Sequence, residues 1–102
     1  MPVYQVKAYE NIDRKYLFRE ITEARTFRLV GTFRVRGENQ PAALEALWAV
    51  GNKEASDLDG QTWPFNRRSQ SVGDLAQIGK TFYACQILGW AKSRLAHILL
   101  EE

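Results

Sequence analysis

Hydrophobic and polar positions alternate most regularly over Thr26–Arg36. Phe27, Leu29, Phe33 and Val35 fall in one row, with Gly31 among them. Arg28, Thr32, Arg34 and Arg36 fall in the other, with Val30 among them. A period of two is that of a strand with one face buried and one in water. The spacing therefore predicts a half-buried antiparallel strand, with Gly31 marking a bulge or the close approach of another element. Thr81–Trp90 reads differently. Phe82, Ala84, Leu88 and Trp90 share one side, and Tyr83, Cys85 and Ile87 share the other. A strand with no polar face predicts an interior position, covered above and below. Val3–Tyr9 and Leu75–Ile78 are further strand candidates, and Gly79-Lys80 is a tight turn into Thr81.

The period changes after Gly37. Asn39 or Gln40 can cap a helix, Pro41 suits its first turn, and the run from Ala42 to Val50 is rich in helix formers. Leu44, Leu47 and Trp48 form its apolar stripe, with Ala43 beside them. Gly51-Asn52 offers the stop, with continuation to Glu54 or Ala55 left open. Lys15–Ala24 fits two readings. Asp13 can cap a short helix carrying Leu17, Ile21 and Ala24, or Tyr16–Ile21 is a strand, which its β-forming residues favour. In the tail, Ala91–Leu100, the spacing of Leu95, Ile98 and Leu99 suggests a short C-terminal helix. Together these elements predict an α+β domain: a mainly antiparallel sheet of four to five strands, one long helix packed on a face, and a short C-terminal helix. The expected core is Val6, Phe27, Leu29, Phe33, Val35, Leu44, Leu47, Trp48, Phe82, Ala84, Ile87 and Leu88.

Composition narrows the class of protein. A chain of 102 residues, 45% hydrophobic and 25% charged, is expected to fold as a single domain over residues 1–102 with one modest core. The lone Cys85 cannot form an internal disulfide and reads as a small buried hydrophobe. With no secretory leader pattern and no apolar run of ~20 residues, the expectation is a cytoplasmic protein with no membrane span. The net charge of +2 says little about partners. Its distribution says more, because basic residues recur at Arg25, Arg28, Arg34, Arg36, Arg67 and Arg68. They form either one positive face or a scattered solvated surface.

Two places carry candidate chemistry. Ser56–Ser71 is long for a connection, and loops of this length are often functional. It holds Trp63-Pro64-Phe65 followed by Arg67 and Arg68. Aromatic plus arginine is what a partner-binding or base-stacking surface requires, although Trp63 and Phe65 could instead fold back and plug the core. The row Arg28, Arg34, Arg36 is either a phosphate-binding stripe or the charge that guards an edge strand from aggregation. Binding of another protein is the first expectation. Nucleic-acid binding through Arg28, Arg34, Arg36, Arg67 and Arg68, with Trp63 stacking, is the alternative. A homodimer is also open.

Enzyme chemistry finds no footing. Gly79-Lys80-Thr81 lacks the upstream glycine of a phosphate loop at the right spacing, and a strand follows where a helix is needed. Asp57-Leu58-Asp59-Gly60 has only a fragment of a calcium loop and reads as a solvated turn. His97 is the only histidine and has no evident partner, so neither a zinc site nor a Cys85–His97 nucleophile is expected. No metal, cofactor or catalytic residue is assigned.

The stretch from Arg67 to Trp90 carries a resemblance. Arg68, Ser69, Ser71, Val72, Gly73, Asp74, Tyr83, Cys85, Gly89 and Trp90 follow an RSxSVGD…YxC…GW pattern. The chain here resembles small uncharacterised proteins of phages, plasmids and other bacterial mobile elements, of YodL-like and large-polyvalent-protein-associated type. The preceding helix, Ala42–Asn52, fits the same pattern, so the likeness covers about half the chain. It implies an accessory protein of a mobile element, with a host or mobile-element protein as its partner, in preference to a metabolic enzyme. The Val72-Gly73-Asp74 turn is also similar to those leading into strands of small PUA-like and SH3-like barrels, which is analogy at the level of fold alone.

Overall fold

The computed structural model describes residues 2–12, 26–86, 89–92 and 99–101. Six strands form one sheet: β1 (Val3–Asn11), β2 (Thr26–Arg36), β3 (Leu75–Ile78), β4 (Thr81–Gln86), β5 (Gly89–Lys92) and β6 (Leu99–Glu101). Their spatial order is β5-β4-β3-β1-β2-β6. From β5 to β2 every neighbouring pair is antiparallel, and β6 lies parallel to the first residues of β2. The α+β class, and one long helix among the described residues, are as the hydrophobic pattern predicts.

That helix, α1 (Gln40–Gly51), is set by its ends. The Asn39 side chain accepts a hydrogen bond from the Ala42 amide at 2.9 Å, and Pro41 sits in the first turn. At the far end the Asn52 amide donates to the Trp48 carbonyl at 2.9 Å, which stops the helix where Gly51-Asn52 predicts. Ala43, Leu44 and Leu47 pack on Val6, Ala8, Phe33, Val35, Ala76, Ile78 and Tyr83. Tyr83 also donates its hydroxyl hydrogen to the Gln40 side-chain carbonyl, tying β4 to the start of the helix. A second cluster, Tyr9, Phe27, Leu75 and Ala84, holds residues alternate to these along the strands, on the opposite face of the sheet.

Sheet register explains where one expectation fails. Ala8 pairs with Gly31 but Tyr9 pairs with Leu29, so Val30 is an extra residue in β2. Gly31 thus stands at a bulge, as expected, and the Phe33 ring covers it, 3.2 Å from where a Cβ would lie. The bulge reverses the alternation. Cross-strand partners share a face, and Val6–Phe33 fixes the helix side. Val30 therefore packs towards the helix, while Phe27 and Leu29 turn to the opposite face with Tyr9. Leu29, expected in the core, is 42% exposed.

Thr81–Trp90 is a correction of a different kind. It forms a hairpin, β4 and β5, in which Gln86 pairs with Gly89 and Cys85 with Trp90. Periodicity cannot separate one long apolar strand from two short ones joined by a tight reversal. The interior position holds for β4, flanked by β3 and β5. Trp48 and Phe82 are only partly buried, while Val6, Phe27, Phe33, Val35, Leu44, Leu47 and Ala84 are buried as expected. Ala91–Lys92 and Leu99–Leu100, read as parts of a C-terminal helix, belong to strands. The expectations for Lys15–Ala24, Ile87, Leu88 and His97 lie outside the described residues.

Candidate functional site

Helix α1 ends and β3 begins on either side of the segment 52–74, which contains no helix or strand beyond a single Leu58–Gln61 bridge. Side chains and backbone bonds hold it to the body of the protein at three places.

The first is an ion pair with a buried carboxylate and a part-exposed guanidinium. Arg68 donates to both oxygens of Asp74, at 2.8 Å from Nη1 to Oδ2 and 2.6 Å from Nη2 to Oδ1. The amides of Asn11 and Ser71 each donate to Asp74 at 2.9 Å, so the carboxylate accepts four hydrogen bonds. Arg68 Nη2 also donates to the Asn11 carbonyl at 3.0 Å. Asp74 is 2% exposed. Burial pushes its carboxyl up, and Arg68 with the two amides pulls against that rise. For Arg68, burial works to lower the guanidinium, and the bond and charge of Asp74 reverse this and raise it. The Val72-Gly73-Asp74 turn carries the arrangement into the sheet. The Gly73 amide donates to the Cys85 carbonyl at 3.0 Å, and the Cys85 amide to the Asp74 carbonyl at 2.9 Å. Gly73 has φ 99°, a left-handed conformation that a side chain would strain. The RSxSVGD stretch is thus a structural lock between the loop, the end of β1 and β4.

The second place is Trp63. Its ring stacks on Phe33 with centroids 5.6 Å apart and planes 6° from parallel, and its Nε1 donates to the Arg68 carbonyl at 2.9 Å. Of the two readings for the aromatic pair, Trp63 follows the plug and Phe65 does not. Phe65 is fully exposed, at the tip of a turn closed by the Arg67 amide donating to the Pro64 carbonyl at 3.1 Å. Beside it lies an open cavity of about 370 Å³, lined by Val50, Lys53, Ala55, Trp63, Pro64 and Phe65 among others. Further along, the segment is pinned to the end of the helix: the Gln70 amide donates to the Gly51 carbonyl at 3.0 Å, and Gln70 itself is 3% exposed.

The third place is the turn Leu58–Gln61, on the edge of β2. Asp59 and Gly60 both have positive φ, 52° and 88°, as a two-residue Asp-Gly turn requires. The Gln61 carboxamide accepts from the Arg34 amide and donates to the Arg34 carbonyl, both at 2.8 Å. Asp59 pairs with Arg36 at 3.0 Å between two exposed side chains.

The arginines expected to act together are not on one surface. The bulge places Arg28 on the helix side of the sheet and leaves Arg34 and Arg36 on the other. Arg28 and Arg67 converge on Glu10, at 3.6 Å and 3.0 Å. Arg68 is taken up by Asp74, and Arg36 by Asp59. Arg34 makes no ion pair among the described residues. Glu10 and Asp74 were missed in the sequence because a pair of acids far apart in the chain gives no local signal. The Arg68–Asp74 spacing, six apart around a glycine turn, was the one available hint.

Cys85 is buried, and burial pushes its thiol up to about 12, with the charges of Asp74 and Glu45 adding to the rise. At neutral pH it is a thiol and a poor nucleophile. Among the described residues no group of histidine, cysteine or carboxylate side chains could hold a metal ion, and no helix is long and apolar enough to cross a membrane. Comparison with models of protein families, with characterised proteins and with solved structures returns no match for this chain.

Proposed function

We propose that this is a small non-catalytic protein that binds another protein and modulates it, with the Phe65 turn as its contact. The reading extends to a cytoplasmic accessory role in a mobile element, which rests on the resemblance of the Arg68–Trp90 stretch. The observation that carries the contact is Phe65 itself. A fully exposed phenylalanine stands on a hydrogen-bonded turn at the mouth of a cavity lined by Val50, Trp63 and Pro64 together with Lys53, Glu54 and Arg67. Large aromatics presented on a braced scaffold lose little conformational entropy on binding and dominate interface energies. Arg67 flanks the turn and is anchored by Glu10.

Nucleic-acid binding has less support. Four of the arginines it needs, Arg28, Arg36, Arg67 and Arg68, already face carboxylates. One ring face of Trp63 is covered by Phe33.

The test is affinity capture from cell lysate with the wild-type chain and with Phe65→Ala in parallel. Trp63→Ala is the wrong probe, because it disturbs the core as well as the surface. The expected result is a protein retained by the wild type and lost by Phe65→Ala, with the melting temperature unchanged. Identical capture by both chains removes Phe65 from the contact.

A further inference from the structure

The outer edge of β2 is a strand whose pairing partner has been replaced by a side chain. β6 covers only Thr26–Arg28 of that edge. The Arg34 amide and carbonyl point away from β1, since both are bonded to Gln61. Backbone groups alternate sides along a strand, so those of Thr32 and Arg36 point the same way. Thr32, Arg34 and Arg36 are all exposed. A run of unpaired backbone groups is a template for another strand, and proteins usually blunt it. Here the blunting is specific. The carboxamide of Gln61 supplies one donor and one acceptor to Arg34, as the peptide group of a neighbouring strand would. Two residues earlier in the same turn, Asp59 supplies a carboxylate to Arg36 at 3.0 Å. A recess of about 190 Å³ lined by Val3, Arg34, Arg36, Asp59 and Gln61 opens beside them.

We infer that this edge is a strand-addition site for an extended acidic peptide, held shut by the Leu58–Gln61 turn as a built-in mimic. The turn presents what such a peptide would present: an amide for Arg34 and a carboxylate for Arg36. Charge complementarity selects the occupant, because Arg34 and Arg36 project on one face of the edge and would repel a basic strand. Main-chain bonds would supply affinity and the paired carboxylates specificity. An incoming strand gains the Thr32 and Arg36 backbone groups as well, which the short turn does not pair. The site lies at the turn Leu58–Gln61 and uses none of the residues of the Phe65 turn, whose own anchors are Trp63 and Arg68.

The test uses the whole chain and a short fluorescein-labelled peptide of alternating valine and glutamate. Binding is read by anisotropy, and its place by amide shifts at Thr32, Arg34 and Arg36. Asp59→Ala with Gln61→Ala removes the mimic. It should bind the peptide about tenfold tighter than the wild type, a difference of about 1.4 kcal/mol, since two hydrogen bonds and an ion pair need no longer be displaced. A peptide with lysine in place of glutamate should not bind. Should the opened variant fail to fold, Arg34→Glu with Arg36→Glu serves instead, and the preference should invert to the lysine peptide. The inference is overturned if neither variant shifts the β2 amides on adding peptide. It is equally overturned if both peptides bind alike, or if the opened variant pairs copy to copy at this edge and takes no peptide.

Discussion

Arg68→Ala is expected to destabilise the protein by about 2 to 3 kcal/mol, less than breaking a fully buried pair costs, because the guanidinium is itself about one-third exposed and Asp74 keeps the Asn11 and Ser71 amides. A loss of that size is a large part of the ~5 to 15 kcal/mol that holds a domain together. Asp74 is 2% exposed beneath a guanidinium that is 32% exposed, so water entering the vacated space replaces the two guanidinium bonds only in part. The loss should depend on pH, in a direction set by the raised Asp74 carboxyl. Without Arg68 the folded-state value rises further above the unfolded one. A group shifted this way contributes stability that is fully present below its unfolded pKa and is lost as pH rises through its folded pKa. The deficit of Arg68→Ala is therefore greatest at neutral pH and shrinks on acidification, as Asp74 takes up a proton. Arg67→Ala is the contrast. Glu10 is buried too, but it keeps Arg28 and is not left unpaired, so the loss is held to about 1 kcal/mol. Urea unfolding of both variants at neutral and acidic pH measures all three quantities. Equal, pH-independent losses would mean that Arg68–Asp74 is an ordinary surface pair.

Trp63→Ala is expected to cost about 3 kcal/mol, the low end for truncating a packed tryptophan because the side chain is only partly buried. The stack on Phe33 goes, and with it the cover over a phenylalanine that is 5% exposed. Trp63→Phe separates the two contributions. It keeps an aromatic stack but loses the bond from Nε1 to the Arg68 carbonyl, worth about 1 kcal/mol. Denaturant midpoints of the pair give both values. A Trp63→Ala chain within about 0.5 kcal/mol of wild type would return Trp63 to the set of surface residues open to a partner.

The fold was legible where local signals agree. Thr26–Arg36, Leu75–Ile78 and the capped helix carry period, propensity and stop signals that point the same way. Leu29 and the arginine row were misplaced for one reason, the extra residue at Val30. A bulge moves everything beyond it to the other face, and Gly31 marked its place without giving its direction. The site was less legible. Trp63 and Phe65, two residues apart, look alike in sequence, yet one stacks on the core and the other stands in water. What separates them is Phe33, some thirty residues away in β2. Arg67 and Arg68 likewise look equivalent until Glu10 and Asp74 take one each. Partners brought together by the fold decide these roles, and a single sequence does not reveal them.

The central claim is that the segment leading to β3 is locked to the sheet and so presents Phe65 on a fixed base. Native-state amide exchange at Asn11, Gln70, Ser71 and Gly73 tests it most directly. Each of these amides is bonded, to Asp74, the Gly51 carbonyl, Asp74 and the Cys85 carbonyl respectively. The prediction is that all four exchange only with global unfolding, at the rate of the β1 and β3 amides. Exchange of Gln70, Ser71 and Gly73 at loop-like rates, while the sheet stays protected, would contradict the lock and remove the fixed base from under Phe65.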